Sequence, residues 1–142
     1  MCMHCGCRRH ALVVRYMAEH DDVWRALRGL QHAADARDEA AVLAILREMA
    51  PALIEHNRNE EIALFPTVAG TGKYVGLVRE LTDDHAYFVD AIAQIEAGDL
   101  AEVAPFVRRL KDHIFSENNG LFAGAEFVLS AEQWDAIHTA TP

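Results

Sequence analysis

Four stretches of this chain repeat apolar residues at the three-and-four spacing of an amphipathic helix, and each has a histidine set into its stripe. The first stripe is Val13, Met17, His20, Trp24, Leu27 and Leu30. The second is Val42, Ile45, Met49, Leu53, His56, Glu60 and Ala63. The third is Val75, Val78, Leu81, His85, Phe88, Ile92 and Ile95, and the fourth is Val103, Phe106, Leu110, His113 and Glu117. A polar side chain on a face that must be buried is costly unless it is bonded. One such histidine is ordinarily a hydrogen-bonded core residue. Four of them, one per helix, with a carboxylate one turn after two, need a shared explanation. A metal centre enclosed by four helices supplies it.

Strand signals are nearly absent. The periodicity predicts a first helix from about Arg8 or His10 to Ala34, and further helices over about residues 38–64, 73–97 and 100–119. Asp38 and Asp99 stand where N-caps belong, and Gly98 and Gly120 read as C-terminal stops. Pro66, with Gly70 and Gly72 after it, predicts a loop over residues 66–73. Ser130 and Gln133 form a capping-box pattern that opens a short fifth helix through Trp134 and Ile137. No internal repeat stands out. The expected fold is all-α: an up-down-up-down four-helix bundle over residues 10–142, with a short C-terminal fifth helix and a Cys-rich N-terminal tail at residues 1–9.

In that topology the histidines fall at one level. Counted at 1.5 Å per residue from the end where the first two helices join, His20 lies about 21 Å down, His56 about 25 Å, His85 about 18 Å and His113 about 20 Å. Residues four apart share a helix face, so His56 with Glu60, and His113 with Glu117, can each aim a nitrogen and a carboxylate at one site. Two glutamates can bridge two cations and offset part of their charge. Imidazole with carboxylate suits iron, manganese or zinc. Six ligands are too many for one tetrahedral zinc and leave open positions on two irons. Glu19, Glu55, Asp84 and Asp112 each precede a histidine but point about 100° away, as surface or outer groups. Glu61 is likewise turned about 100° from Glu60.

The chain has 142 residues and a net charge of -9. Such a balance disfavours nucleic acid and anionic membranes as partners. No apolar run approaches the ~20 residues of a membrane span. The first residues, MCMHCGCRRH, lack a hydrophobic signal region, so the expected location is cytoplasmic.

With these residues in place, the chain resembles the hemerythrin-like, or HHE cation-binding, family. The segments that carry the resemblance are AEHDDVWRAL, EHNRNEEIALFP, DDHAYFVDAI and DHIFSENNGLF, and it extends over roughly residues 10 to 123. It implies a non-haem di-iron site whose ligands are His20, His56, Glu60, His85, His113 and Glu117. Two iron ions with a water, hydroxo or oxo bridge are the cofactor expected from it. Oxygen-carrying hemerythrins have a second histidine on the third helix and an aspartate five residues after the last histidine. Here Leu81 and Val89 neighbour His85, and Asn118 stands five after His113. The chain is therefore closer to the family members implicated in iron, nitric oxide or peroxide handling. The expected function is binding of, or reaction with, oxygen, nitric oxide or peroxide, in sensing or detoxification. An oxidoreductase acting on peroxide or nitric oxide is one form of this. Iron storage or delivery, and reversible oxygen carriage, are the alternatives. A ferritin-like di-iron class uses Glu-x-x-His pairs, and Met17, Leu53, Thr82 and Leu110 occupy the corresponding positions here.

Tyr16, Trp24, Phe65, Phe88 and Phe115 lie near the histidines in sequence and are expected either as core or as the wall of a dry pocket for a small gas. Tyr16 or Tyr87 is a candidate hydrogen-bond donor to a bound ligand. Cys2, Cys5 and Cys7, with His4 and His10, form a second candidate cluster. Its chemistry suits zinc or another metal, or a redox switch, and an unoccupied tail is the third reading. His32 and His138 fall off the stripes and are expected on the surface.

Overall fold

The computed structural model describes residues 7–142, with side chains from residue 11 onward; the Cys2, His4, Cys5, Cys7 and His10 cluster lies outside the described side chains. The described residues form helices joined by short connections, without strands. Helix α1 runs Cys7–Asp35 and α2 runs Glu39–Asn59. A wide π turn, Glu60–Leu64, carries α2 into α3, Phe65–Gly70. Helix α4 is Val75–Glu96, and a 3-10 turn at Leu100–Glu102 leads into α5, Val103–Ser116. A second π turn, Glu117–Leu121, carries α5 into α6, Phe122–Val128, and α7 is Ala131–Ala140.

The long helices pack in a closed ring: α1 against α2 and α5, and α4 against α2 and α5. Their apolar residues divide into two clusters. One includes Leu27, Leu30, Val42, Leu46, Leu53, Phe88, Ile95, Phe106 and Leu110. The other includes Leu12, Tyr16, Leu64, Phe65, Leu81, Leu121, Phe122 and Trp134. In each helix the histidine separates residues of one cluster from residues of the other, and the order of the clusters reverses from each long helix to the next. The polar layer is thus held between two apolar blocks. Side chains such as Leu27, Leu46 and Phe106 are fully buried, each worth about 1.5–3 kcal/mol of transfer free energy.

Several local signals act as their chemistry requires. The Asp38 carboxylate accepts from the Ala41 amide at 3.1 Å, and Ser130 and Gln133 close a reciprocal capping box. Gly98 has φ 104°, which turns the chain out of α4. Asp99 occupies the next N-cap but makes no side-chain cap bond.

Two expected helix ends are not ends. Pro66 opens α3, where its missing N–H is tolerated, and the chain stays helical to Gly70. Gly120 lies within the second π turn. Gly120 is taken up inside its i→i+5 turn, whereas Pro66 stands just after one, in the first turn of α3. The stripes also shift. Met17, Trp24 and Val75 are exposed, while Leu12, Tyr16 and Val23 are buried. Among the described residues, no helix is long and apolar enough to cross a membrane.

Candidate metal centre

The six residues picked out by the stripes meet in one buried layer. Two groups of four have ligand atoms that all lie within 4.8 Å of one another: His20, His56, Glu60 and Glu117, and Glu60, His85, His113 and Glu117. Both groups share both glutamates. All six side chains are buried, and the two glutamates are fully so.

Each imidazole turns Nε2 inward. His56 Nε2 is 3.2 Å from Glu60 Oε1, and His85 Nε2 is 3.5 Å from Glu60 Oε2. His113 Nε2 contacts Glu117 Oε1, and His20 Nε2 lies 3.9 Å from that same oxygen. The Nε2 atoms of His20 and His56 are 2.9 Å apart. Both oxygens of Glu60, both of Glu117, and Nε2 of His85 and His113 are buried without a properly angled hydrogen bond. Native proteins rarely leave such atoms unsatisfied. Six of them, within two groups that could each hold a metal ion, fit a cation site.

Each Nδ1 turns outward to a bonded partner on another helix. Glu19 Oε2 takes His56 Nδ1 at 2.6 Å, and Glu61 Oε1 takes His85 Nδ1 at 2.6 Å. Asp84 Oδ2 takes His113 Nδ1 at 3.0 Å, and Asn118 Oδ1 meets His20 Nδ1 at 2.7 Å. With Nδ1–H engaged, Nε2 keeps its lone pair for a metal. Glu19 and Asp84 serve as the outer groups that the sequence suggests, whereas Glu55 and Asp112 are simply exposed. Glu61 and Asn118 are roles the helical wheel misses. Each follows a glutamate directly, and the π turn that begins there widens the helix locally.

Each histidine also has an aromatic neighbour. Phe122 stacks on His20 with centroids 5.7 Å apart, and Phe65 stacks on His85 at 5.3 Å. Tyr16 meets His56 edge-on at 5.2 Å, and Phe88 meets His113 at 5.1 Å. Phe65 and Phe122 each follow a π turn and return their amide N–H to the carbonyl of Glu60 or Glu117. The segments HNRNEEIALF and HIFSENNGLF therefore perform the same roles at four positions: the histidine, the inner glutamate, the residue after it and the phenylalanine. They are a local repeat that the apolar pattern conceals. Three expected neighbours do not reach the site. Trp24 is exposed beneath Lys111, Phe115 is exposed, and the Tyr87 hydroxyl donates to Glu102 at 2.7 Å. His32 and His138 are exposed.

The electrostatics are those of a crowded buried cluster. Burial works against a charged His56, but Glu60, Glu19 and Glu117 override it and push the ring up to about 10. Burial likewise opposes His113, and Glu117 and Asp84 push it up to about 9. Burial and the His56 charge pull His20 down to about 4. Burial and the adjacent Glu60 push Glu117 up to about 8. Burial works against a charged Glu60, but the His56 charge and the close approach of Glu117, His56 and His85 outweigh it and hold the carboxyl well below the usual carboxylate range. Burial and Glu60 push Tyr16 up to about 12, so its hydroxyl stays protonated. Without a metal, protons on His56, His113 and Glu117 offset the like charges of the layer.

Four imidazole nitrogens and two shared carboxylates are a donor set that suits a metal ion such as iron. No curated protein and no solved structure matches the chain. The model of one family, described as the hemerythrin HHE cation binding domain, matches residues 11–125. That span takes in every helix of the ring and all six buried His and Glu residues, and the chain belongs to the hemerythrin HHE cation binding domain family.

Proposed function

We propose that this chain is a non-haem di-iron protein of the cytoplasm that binds or reacts with a small oxidant or gas, namely oxygen, nitric oxide or peroxide, in sensing or detoxification. His20, His56, Glu60, His85, His113 and Glu117 hold the two irons. The alternating order of the two apolar clusters supports an up-down-up-down four-helix bundle around them. The observation that carries the reading is the pair of four-residue groups sharing both glutamates. A single ion has no use for two sets of histidines, whereas two adjacent cations need anionic groups between them.

When bound, the iron pair supplies the redox chemistry. The chain supplies the rest. Glu60 and Glu117 offset positive charge from between the helices. Glu19, Glu61, Asp84 and Asn118 fix the ring orientations. Phe65, Phe88, Phe122 and Tyr16 cover the imidazoles and keep water from their faces. Tyr16 is the one buried hydroxyl of this group and stays protonated at neutral pH, as a hydrogen-bond donor must.

The test loads metal-free protein with ferrous iron without air, then mixes it separately with oxygen, nitric oxide and peroxide. A lasting change of the iron spectrum with peroxide or nitric oxide is expected. Repeated consumption of either marks an enzyme, and reversible change without consumption marks a sensor. Oxygen uptake and release through many cycles would favour carriage. Ready loss of iron to a mild chelator, followed by full reloading, would favour storage or delivery. No response to any of the three would contradict the proposal.

A further inference from the structure

The two halves of the buried layer correspond at the inner glutamates, at the carboxylates before two histidines and at the stacked phenylalanines, and they differ in what backs His20 and His85. Glu60 and Glu117 correspond, as do Glu19 and Asp84, which directly precede His20 and His85 and bond His56 and His113. Phe65 and Phe122 correspond as well. The residue after each inner glutamate also reaches across to a histidine, but it is Glu61 in one half and Asn118 in the other. Three imidazoles are therefore backed by a carboxylate, and His20 alone by a neutral carboxamide. A carboxylate behind Nδ1 makes imidazole a stronger donor, and such partners are typically worth about 10–100-fold in metal affinity. The group formed with His85 and His113 has Glu61 and Asp84 behind it. The group formed with His20 and His56 has Glu19 and Asn118.

We propose that Asn118 makes the two positions of the centre unequal, so that the ion held by His20 and His56 binds more weakly and exchanges first. The inference rests on the two-ion reading above. It gives Asn118 and Glu61 the role of positioning residues that set which half yields its metal. Such a pair retains one ion firmly while the other comes and goes with supply.

Manganese(II) is a suitable probe. Carboxylate and imidazole accept it, thiolates take it poorly, and the paramagnetic signal of the free ion reports binding directly. Metal-free full-length chain titrated with manganese should bind two ions in two steps. Glu61→Gln should weaken the tighter step about tenfold and draw the steps together. Glu19→Gln should weaken the looser step by a similar factor of about ten and drive them apart. Asn118→Asp should tighten the looser step. Glu19 and Glu61 side chains are 33% and 43% exposed, so glutamine at either position leaves the packing intact. Opposite shifts from two similar changes are not what a general loss of structure produces. Two ions bound with one constant, or both glutamine variants acting on the same step, would overturn the inequality and leave the two-ion reading standing. Folded protein that binds no manganese would overturn both.

Discussion

At the scale of the residue, the six inner side chains are costly to bury and make sense together. His56 and Glu60 show this best. His56→Ala should abolish binding at the group formed with His20 and leave Glu60, which is fully buried, without its main counter-charge. The metal-free variant should lose about 3 kcal/mol of stability in urea unfolding. Glu55→Ala, at the exposed neighbouring position, should change it by less than about 0.5 kcal/mol. Equal effects would mean that His56 is not part of a charged cluster.

The proton inventory gives a second expectation at this scale. His56, His113 and Glu117 are raised to about 10, 9 and 8, so they carry protons at pH 7 in the metal-free fold. Metal requires their deprotonated forms. Uptake at pH 7 should therefore release protons, and affinity should rise with pH through this range. A pH-stat titration measures it directly, and metal uptake without proton release would contradict the assignment. Stability of the metal-free fold runs the other way. The contribution of Glu117 is complete below its ordinary 4.5 and lost as pH rises through about 8. Those of His56 and His113 are complete below 6.5 and lost through about 10 and 9. The metal-free protein should thus become less stable from pH 7 to 10. Glu60 has the opposite sign and contributes stability that acid removes below 4.5.

At the scale of the element, the π turns decide the geometry. Each starts at an inner glutamate and places the next residue and the fifth one on histidines of a neighbouring helix. Deleting Ile62, an exposed residue of the first turn, should restore α-helical spacing there. Far-ultraviolet circular dichroism should stay strongly helical while metal capacity falls. Retained capacity would show that the wide turn is incidental. Ser130→Ala offers the contrast. Loss of the cap on α7 should cost about 1 kcal/mol in thermal unfolding and leave metal capacity unchanged.

The helices, their approximate lengths and the inward faces of His20, His56, His85 and His113 were legible in the sequence, because apolar spacing reports burial directly. So was the shared level of the four histidines, which follows from helix rise and short connections. The π turns were not legible. An i→i+5 turn changes the wheel by one residue, so Glu61 reads as facing away, and Pro66 and Gly120 read as stops. The local repeat was hidden for the same reason, since its matched residues are polar partners and aromatic covers rather than stripe positions. Trp24 and Phe115 misled because their proximity to a histidine in sequence says nothing of which side of the helix they occupy.

At the scale of the whole molecule, two apolar blocks hold a charged layer between them, and the layer is satisfied only when something cationic fills it. Protons do this in part. On the proposed reading a metal pair completes it, so loading should raise the melting temperature with the logarithm of free metal over its dissociation constant. An unchanged melting temperature would place any metal outside the layer. The central claim is that two metal ions sit among the six buried ligands, and elemental analysis of the full-length chain tests it most directly. The comparison needs the native chain, a variant with Cys2, Cys5 and Cys7 all changed to serine, and a His113→Ala variant. The account requires about two equivalents of iron in the first two and a large loss in the third. Metal that disappears with the cysteines and survives His113→Ala would contradict it.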